Sequence, residues 1–213
     1  MNESKSVKKI KQDVAGFMQR LYNKGLTTSL GGNISCRVNK DTFAITSSQS
    51  DKACITGDLI GLVKADGTSL NPEVKLSIET FMHLAIYKKR PEINAIVHAH
   101  PTMSSFFTVT DRKINCRLSS EGRALLGEPA YAPYALMGTK ELAEIVSEYA
   151  LKSNVVFMKN HGVITMADSL IVAFDRMEVT ELTARLTILT EINGGARELT
   201  KEQIEAIDKL MNA

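Results

Sequence analysis

Strand-like runs only a few residues long alternate with amphipathic helical stretches along this chain, and that alternation limits its fold more than any other feature. Val7, Ile10, Val14, Phe17 and Leu21 recur at helical spacing, with Gly25 placed to end the helix. A glycine-rich loop then leads into alternating Ile34, Cys36 and Val38, a strand pattern. Residues 43–46 form a second strand paired to it across the Asn39–Asp41 turn, and residues 58–64 with the turn at Ala65–Gly67 suggest a further hairpin element. Ser77 reads as the cap of a helix running to Lys89, with Ile78, Phe81, Met82 and Ala85 buried and Pro91 beyond its end. Residues 93–100 read as a strand stopped by Pro101, followed by a short helix over 103–109. A helix over 139–152, buried through Leu142, Ile145, Val146 and Tyr149, precedes two strands, 155–158 and 163–166, joined by the turn Asn160-His161-Gly162. A long helix after Asp168 ends at Gly194-Gly195, and Thr200 with Gln203 opens a last one through a capping box. No repeat, linker or low-complexity tract interrupts the 213 residues, so one layered α/β domain over 1–213 is expected.

Composition removes several function classes. The 26 basic residues nearly balance 24 acidic ones, for a formal charge of +2, which gives no support for a nucleic-acid surface. No apolar run approaches the roughly 18 residues of a spanning helix, so no membrane partner is expected. The basic start has no apolar signal core behind it, and a cytoplasmic location is expected. Cys36, Cys54 and Cys116 are odd in number and widely spaced, which argues against a disulfide framework or a thiolate zinc site.

The histidines are more specific. His98 and His100 lie two apart in an expected strand, so both project from one face with Cα atoms roughly 6.6–7 Å apart. Two imidazoles at that separation can converge on one cation, while Val97 and Ala99 face the core. Pro101 would place the pair at a sheet edge or cleft mouth, where two solvated histidines are the plainer reading. His161, in a turn between a strong apolar strand and Gly162, is either a third ligand on a rigid scaffold or a turn histidine without a role. Three imidazoles with an open fourth position suit catalytic zinc, and a thiol-free set suits other divalent ions as well. Glu79 falls in the first turn of its helix, where the helix dipole alone would favour a carboxylate. Its functional reading is a base facing a cleft beside the metal. His83, one turn later on the same face, either orients Glu79 or packs as an ordinary helix histidine, and is not read as a ligand.

Three separated motifs carry a resemblance: Gly31-Gly32-Asn33, the segment LSIETFMHLAIYKKRPEINAIVHAHP over 76–101, and Lys159-Asn160-His161-Gly162. Together they resemble the class II aldolase family of the aldolase/adducin superfamily, its fuculose-phosphate branch most of all, in order and over nearly the whole chain. The resemblance implies a three-layer αβα sandwich around a mainly antiparallel sheet. It implies zinc on His98, His100 and His161, with Glu79 as the acid/base residue that also ligates the ion when no substrate is bound. Phosphate contacts would fall on Gly32, Asn33, Ser48, Gln49 and Ser77, suited to it by backbone amides in glycine turns and hydroxyls at a helix start. It also implies a homotetramer with active sites where subunits meet, and a sugar phosphate as the small-molecule partner. The implied reaction is retro-aldol cleavage of a ketose 1-phosphate to dihydroxyacetone phosphate and an aldehyde.

The chain departs from that family pattern in places. Ser48-Gln49 stands where the family has Thr-Gly, and Ser77-Ile78 where it has paired serines. Ser119 stands at the position of a family tyrosine, and a second tyrosine finds no counterpart before Ala213, leaving Tyr131 or Tyr134 as candidates to replace them. Within the same fold, a pentulose-phosphate 4-epimerase characteristically carries aspartate at the Glu79 position. A methylthioribulose-phosphate dehydratase shares the histidines. A non-catalytic module of the adducin-head kind has lost them.

Overall fold

The computed structural model of the chain describes residues 4–211. Its centre is a seven-stranded sheet among the described residues: β1 (Asn33–Asn39), β2 (Thr42–Thr46), β3 (Ile60–Lys64), β4 (Ala95–Ala99), β5 (Ala130–Ala132), β6 (Val155–Met158) and β7 (Val163–Ala167). The spatial order is β3-β2-β1-β4-β7-β6-β5. Every neighbouring pair is antiparallel except β5 with β6.

Alternation along the strands feeds two separate cores. Ile34, Val97, Phe157 and Val163 point to one side, where they meet Val14, Met18 and Leu21 of α1 (Lys5–Asn23) and Phe174 and Met177 of α6 (Leu170–Ile192). Phe43, Ile45, Ile96, Val156 and Ile164 point to the other. There they pack on Met82 and Ile86 of α2 (Thr80–Lys89) and on Leu142 and Val146 of α5 (Lys140–Tyr149). Helices therefore cover both faces, and the expected three-layer αβα sandwich with a mostly antiparallel sheet is what the chain forms. The caps follow the sequence: Thr139 Oγ1 accepts from Leu142 N at 3.2 Å. Before α7 (Lys201–Met211), Thr200 and Gln203 exchange the two hydrogen bonds of a capping box.

Several local expectations are corrected. The helix after Ser77 starts only at Thr80, and Ser77 Oγ instead accepts a hydrogen bond from Glu79 N at 3.3 Å. Its expected apolar face is only half right: Met82 is buried and Ala85 packs against the core, but Ile78 and Phe81 are 54% and 52% exposed. The helix is turned because Glu79, His83 and Tyr87, each four residues from the next, face inward onto polar side chains of β1. β4 is the central strand, so His98 lies at the middle of the sheet and not at its edge. The helix after Pro101 is a short α3 (Thr102–Phe106), while α4 (Ser120–Leu126) and β5 carry no signal in the sequence reading.

Candidate active site

His98 is the penultimate residue of β4, a strand buried along its whole length, and its ring lies fully inside the protein. Its Nδ1 lies 2.9 Å from the Val163 carbonyl oxygen. A carbonyl only accepts, so Nδ1 carries the hydrogen and the neutral ring presents its lone pair at Nε2. His100 follows one strand period later, and His161 enters from the β6–β7 turn. Ring centroids lie 4.7 Å apart for His98–His100, 4.9 Å for His98–His161 and 5.7 Å for His100–His161. One nitrogen from each ring lies within 4.8 Å of the other two, and the three residues form a group able to hold a metal ion.

Two glycines permit this approach. A Cβ on Gly162 would sit 2.6 Å from both the Ala99 carbonyl oxygen and His100 Cδ2, so only glycine lets the β6–β7 turn close on the histidines. Gly32 has φ +66°, and a Cβ there would lie 2.8 Å from the His98 carbonyl oxygen.

Glu79 completes the cluster as the buried residue just ahead of α2. Its carboxylate lies 3.2 Å from His98 Nε2 and 3.0 Å from His161 Nε2. These approaches lie within ion-pair distance but do not satisfy the buried atoms: Glu79 Oε1, His98 Nε2 and His161 Nδ1 all lack a hydrogen-bond partner. Buried polar atoms are nearly always paired, so the unpaired Glu79 Oε1 and His98 Nε2 within this cluster ask for a cation. Burial alone would raise the Glu79 pKa, but the charge of His98 and the contacts of His161 and His98 outweigh it and hold the carboxyl well below its usual range. Burial lowers His98, yet the Glu79 charge and the Val163 carbonyl carry it above its ordinary value. Burial, then the charges of His98 and His161, push His100 down to about 3, which keeps it neutral. A proton on His98 and a metal cation would answer the same negative potential.

A chain of buried hydrogen bonds fixes Glu79. Asn33 Nδ2 donates to Glu79 Oε2 at 2.7 Å, and Asn33 Oδ1 lies 2.5 Å from His83 Nε2. His83 Nδ1 meets Ser35 Oγ at 2.7 Å, which meets the Tyr87 hydroxyl at 2.8 Å. An ionised carboxylate only accepts, and that sets every direction: Tyr87 donates to Ser35, Ser35 to His83, His83 to Asn33, and Asn33 to Glu79. Burial, with the His98 charge, pushes His83 down to about 3, consistent with the neutral ring this chain needs. Tyr87 is itself stacked on Phe43 at 4.5 Å, with the Arg37 guanidinium 4.9 Å from its ring centroid. His83 thus orients Glu79 through Asn33, without touching it.

Gly32, Asn33, Ser48, Ser77, Glu79, His100 and His161 line one cavity of about 180 Å³, with His98 buried behind it. Gln49 is not brought there; it sits at φ +56° and its Oε1 accepts from Lys75 Nζ at 2.9 Å. Ser119 caps α4, accepting from Gly122 N at 3.0 Å. Tyr131 accepts from Ile114 N at 2.9 Å, and neither it nor Tyr134 lines the histidine cavity. A larger cavity, about 690 Å³, opens between α3 and α6, but its walls are ordinary surface residues such as Lys24, Glu178 and Arg185 with no converging histidines. Sequence reasoning missed Lys52 and Ser47, which line the histidine cavity. A lysine in a polar loop ordinarily reads as solvated, and only its burial distinguishes it.

An antiparallel αβα sandwich with a three-histidine, one-carboxylate pocket beside a glycine loop defines a narrow class of proteins. Residues 12–188 match the family described as Class II Aldolase and Adducin N-terminal domain, and the chain belongs to that family. It is 32% identical to an L-fuculose phosphate aldolase of Methanocaldococcus jannaschii over 84% of this chain and 96% of the relative. A 5-deoxy-D-ribulose 1-phosphate aldolase of Bacillus thuringiensis is 27% identical over 95% of each chain. A 3-oxo-tetronate 4-phosphate decarboxylase of Haemophilus influenzae is 30% identical over 78% of this chain and 80% of the relative. Among solved structures, an L-fuculose 1-phosphate aldolase superposes with a TM-score of 0.88 at 29% identity, covering 100% of this chain and 99% of that one.

Proposed function

We propose that this protein is a metal-dependent aldolase that cleaves a ketose 1-phosphate of the fuculose type to dihydroxyacetone phosphate and an aldehyde. The observation that carries the reading is the Glu79 carboxylate lying 3.0–3.2 Å from two of three histidines whose lone pairs converge. His98, His100 and His161 would hold the ion, zinc in the first instance, with Glu79 joining them when no substrate is bound. A divalent ion there supplies Lewis-acid stabilisation of the negative charge that develops on the substrate oxygens. Glu79, fixed by Asn33, moves the proton at the carbon that becomes the hydroxymethyl carbon of dihydroxyacetone phosphate. Gly32, Asn33, Ser48 and Ser77 receive the phosphate, with Gln49 limited to its backbone.

The whole chain, 1–213, acts as a single domain in a cytoplasmic homo-oligomer, a tetramer by family resemblance. An apolar rim supports assembly, because Leu30, Ile78 and Met137 line the cavity yet remain 62%, 54% and 58% exposed. Among the described residues no helix is long and apolar enough to cross a membrane.

One relative's name supports a second reading on the same residues, decarboxylation of a phosphorylated 3-oxo acid. Loss of carbon dioxide leaves an electron pair beside the ketone as retro-aldol cleavage does, and Glu79 would protonate that carbon. Incubating the metal-loaded protein with ketose 1-phosphates, pentulose 5-phosphates and 3-oxo acid phosphates separates the readings. Dihydroxyacetone phosphate together with an aldehyde is expected. Carbon dioxide without aldehyde would establish the decarboxylase reading, and an epimerised pentulose phosphate would overturn both.

A further inference from the structure

The histidine cavity is also lined by Lys52, a side chain that no motif singles out. Lys52 is 1% exposed, and its Nζ donates to the Ser47 carbonyl oxygen at 2.7 Å and to Ser50 Oγ at 3.0 Å. Both partners are neutral, and no carboxylate among the described residues lies in ion-pair distance of this ammonium. An ammonium buried without a counter-charge is costly, and natural chains rarely place one except where an anion comes to it. An ammonium has three hydrogens, so two donations leave one unused. Beside it, Ser47 Oγ is buried, lines the same cavity and has no hydrogen-bond partner.

We infer that Lys52, with the Ser47 hydroxyl, is the cationic end of the phosphate subsite, supplying the full positive charge that the glycine loop and the serines Ser48 and Ser77 do not. This assignment rests on the sugar-phosphate reading and deepens it. Amide and hydroxyl donors orient a phosphate monoester but leave its charge uncompensated, whereas an ammonium compensates it. The assignment also accounts for the Ser48-Gln49 departure: where a permissive glycine is missing and Gln49 turns to Lys75, a charge three residues further along the same loop keeps anion affinity. Burial pushes the Lys52 pKa down to about 8, which leaves it largely protonated at neutral pH, and an arriving dianion favours the charged form further.

The test is Lys52→Met, an unbranched side chain of similar length without charge, in the metal-loaded full chain. Inorganic phosphate binding is read by calorimetry, and the KM for the best ketose phosphate beside it. Phosphate binding is expected to weaken about 10- to 100-fold, the loss typical of a charge-assisted hydrogen bond. Metal content should be unchanged and the melting temperature no lower, because a desolvated charge has been removed. KM should rise in parallel, and Lys52→Arg should recover part of the affinity. Ser47→Ala, which removes only an unpaired hydroxyl, is the second variant and keeps the question decidable if Lys52→Met does not fold; a several-fold weaker phosphate affinity is expected. Parental phosphate affinity in every folded variant of this set would overturn the assignment, even with aldolase activity intact. Loss of phosphate binding in Lys52→Met from a protein that cleaves no ketose phosphate would uphold the assignment and overturn the aldolase reading instead.

Discussion

Replacing Glu79 by glutamine is expected to leave a folded, metal-loaded protein that turns over about 10²–10⁴-fold more slowly, the usual cost of removing a general base. Glutamine keeps the length and one acceptor oxygen for Asn33 Nδ2, now 2.7 Å from Glu79 Oε2, while it cannot take up a proton. The plainer account of Glu79, a charge helped by the end of a helix, predicts the opposite phenotype. It would cost only about 0.3–1 kcal/mol of stability and leave turnover alone. The geometry already weighs against that account, since the carboxylate makes no cap hydrogen bond to α2 and turns toward His98 and His161. Kinetics and thermal melting on one preparation decide between them. Activity within a few-fold of the parent would reduce Glu79 to a helix-end charge and remove the mechanism with it.

The second large effect is expected at the histidines. His98→Ala and His161→Ala should each lose metal from a protein purified beside a loaded parent. The affinity loss should exceed the roughly 10–100-fold that follows damage to a group merely supporting a ligand. The two variants differ in their structural cost. His98 is fully buried and bonded to the Val163 carbonyl, so its removal leaves a cavity in the central strand and takes a donor from a carbonyl of β7. His161 lies in a turn at the cavity wall, and its loss should spare the fold. Elemental analysis is the readout, and unchanged metal in both variants would remove the site.

Much of this arrangement is legible in the sequence where a pattern repeats within one element. The spacing of Val7, Ile10, Val14, Phe17 and Leu21 marks α1, and Val97 and Ala99 are legible as core residues of β4 because side-chain direction in a strand has a fixed period. The same period brings His98 and His100 to one side. Elements too short to repeat a pattern, the three residues of β5 and the seven of α4, left no trace. The burial of one side of α2 is hidden for a different reason. Counting apolar residues favours Ile78 and Phe81, but a closed set of hydrogen bonds from Tyr87 to Glu79 turns the polar stripe inward. Partners 46 to 52 residues away in the chain make those bonds, and no local period encodes them. Lys52 is illegible for the same reason, being distinguished only by what surrounds it. The three histidines and Glu79 were legible as candidates through their motifs. Their mutual approach is a product of the β1–β4–β7 pairing and of the space left at Gly162.

The central claim is that Glu79, beside a metal held by the three histidines, moves a proton at one carbon of the dihydroxyacetone phosphate fragment. It can be tested without knowing the aldehyde. Metal-loaded protein is incubated with dihydroxyacetone phosphate in deuterium oxide, and the hydroxymethyl hydrogens are followed by proton NMR. The account predicts that one of these two hydrogens exchanges, that exchange stops when a chelator strips the metal, and that Glu79→Gln slows it. Retention of both hydrogens, in a protein verified to hold its metal, would contradict the account.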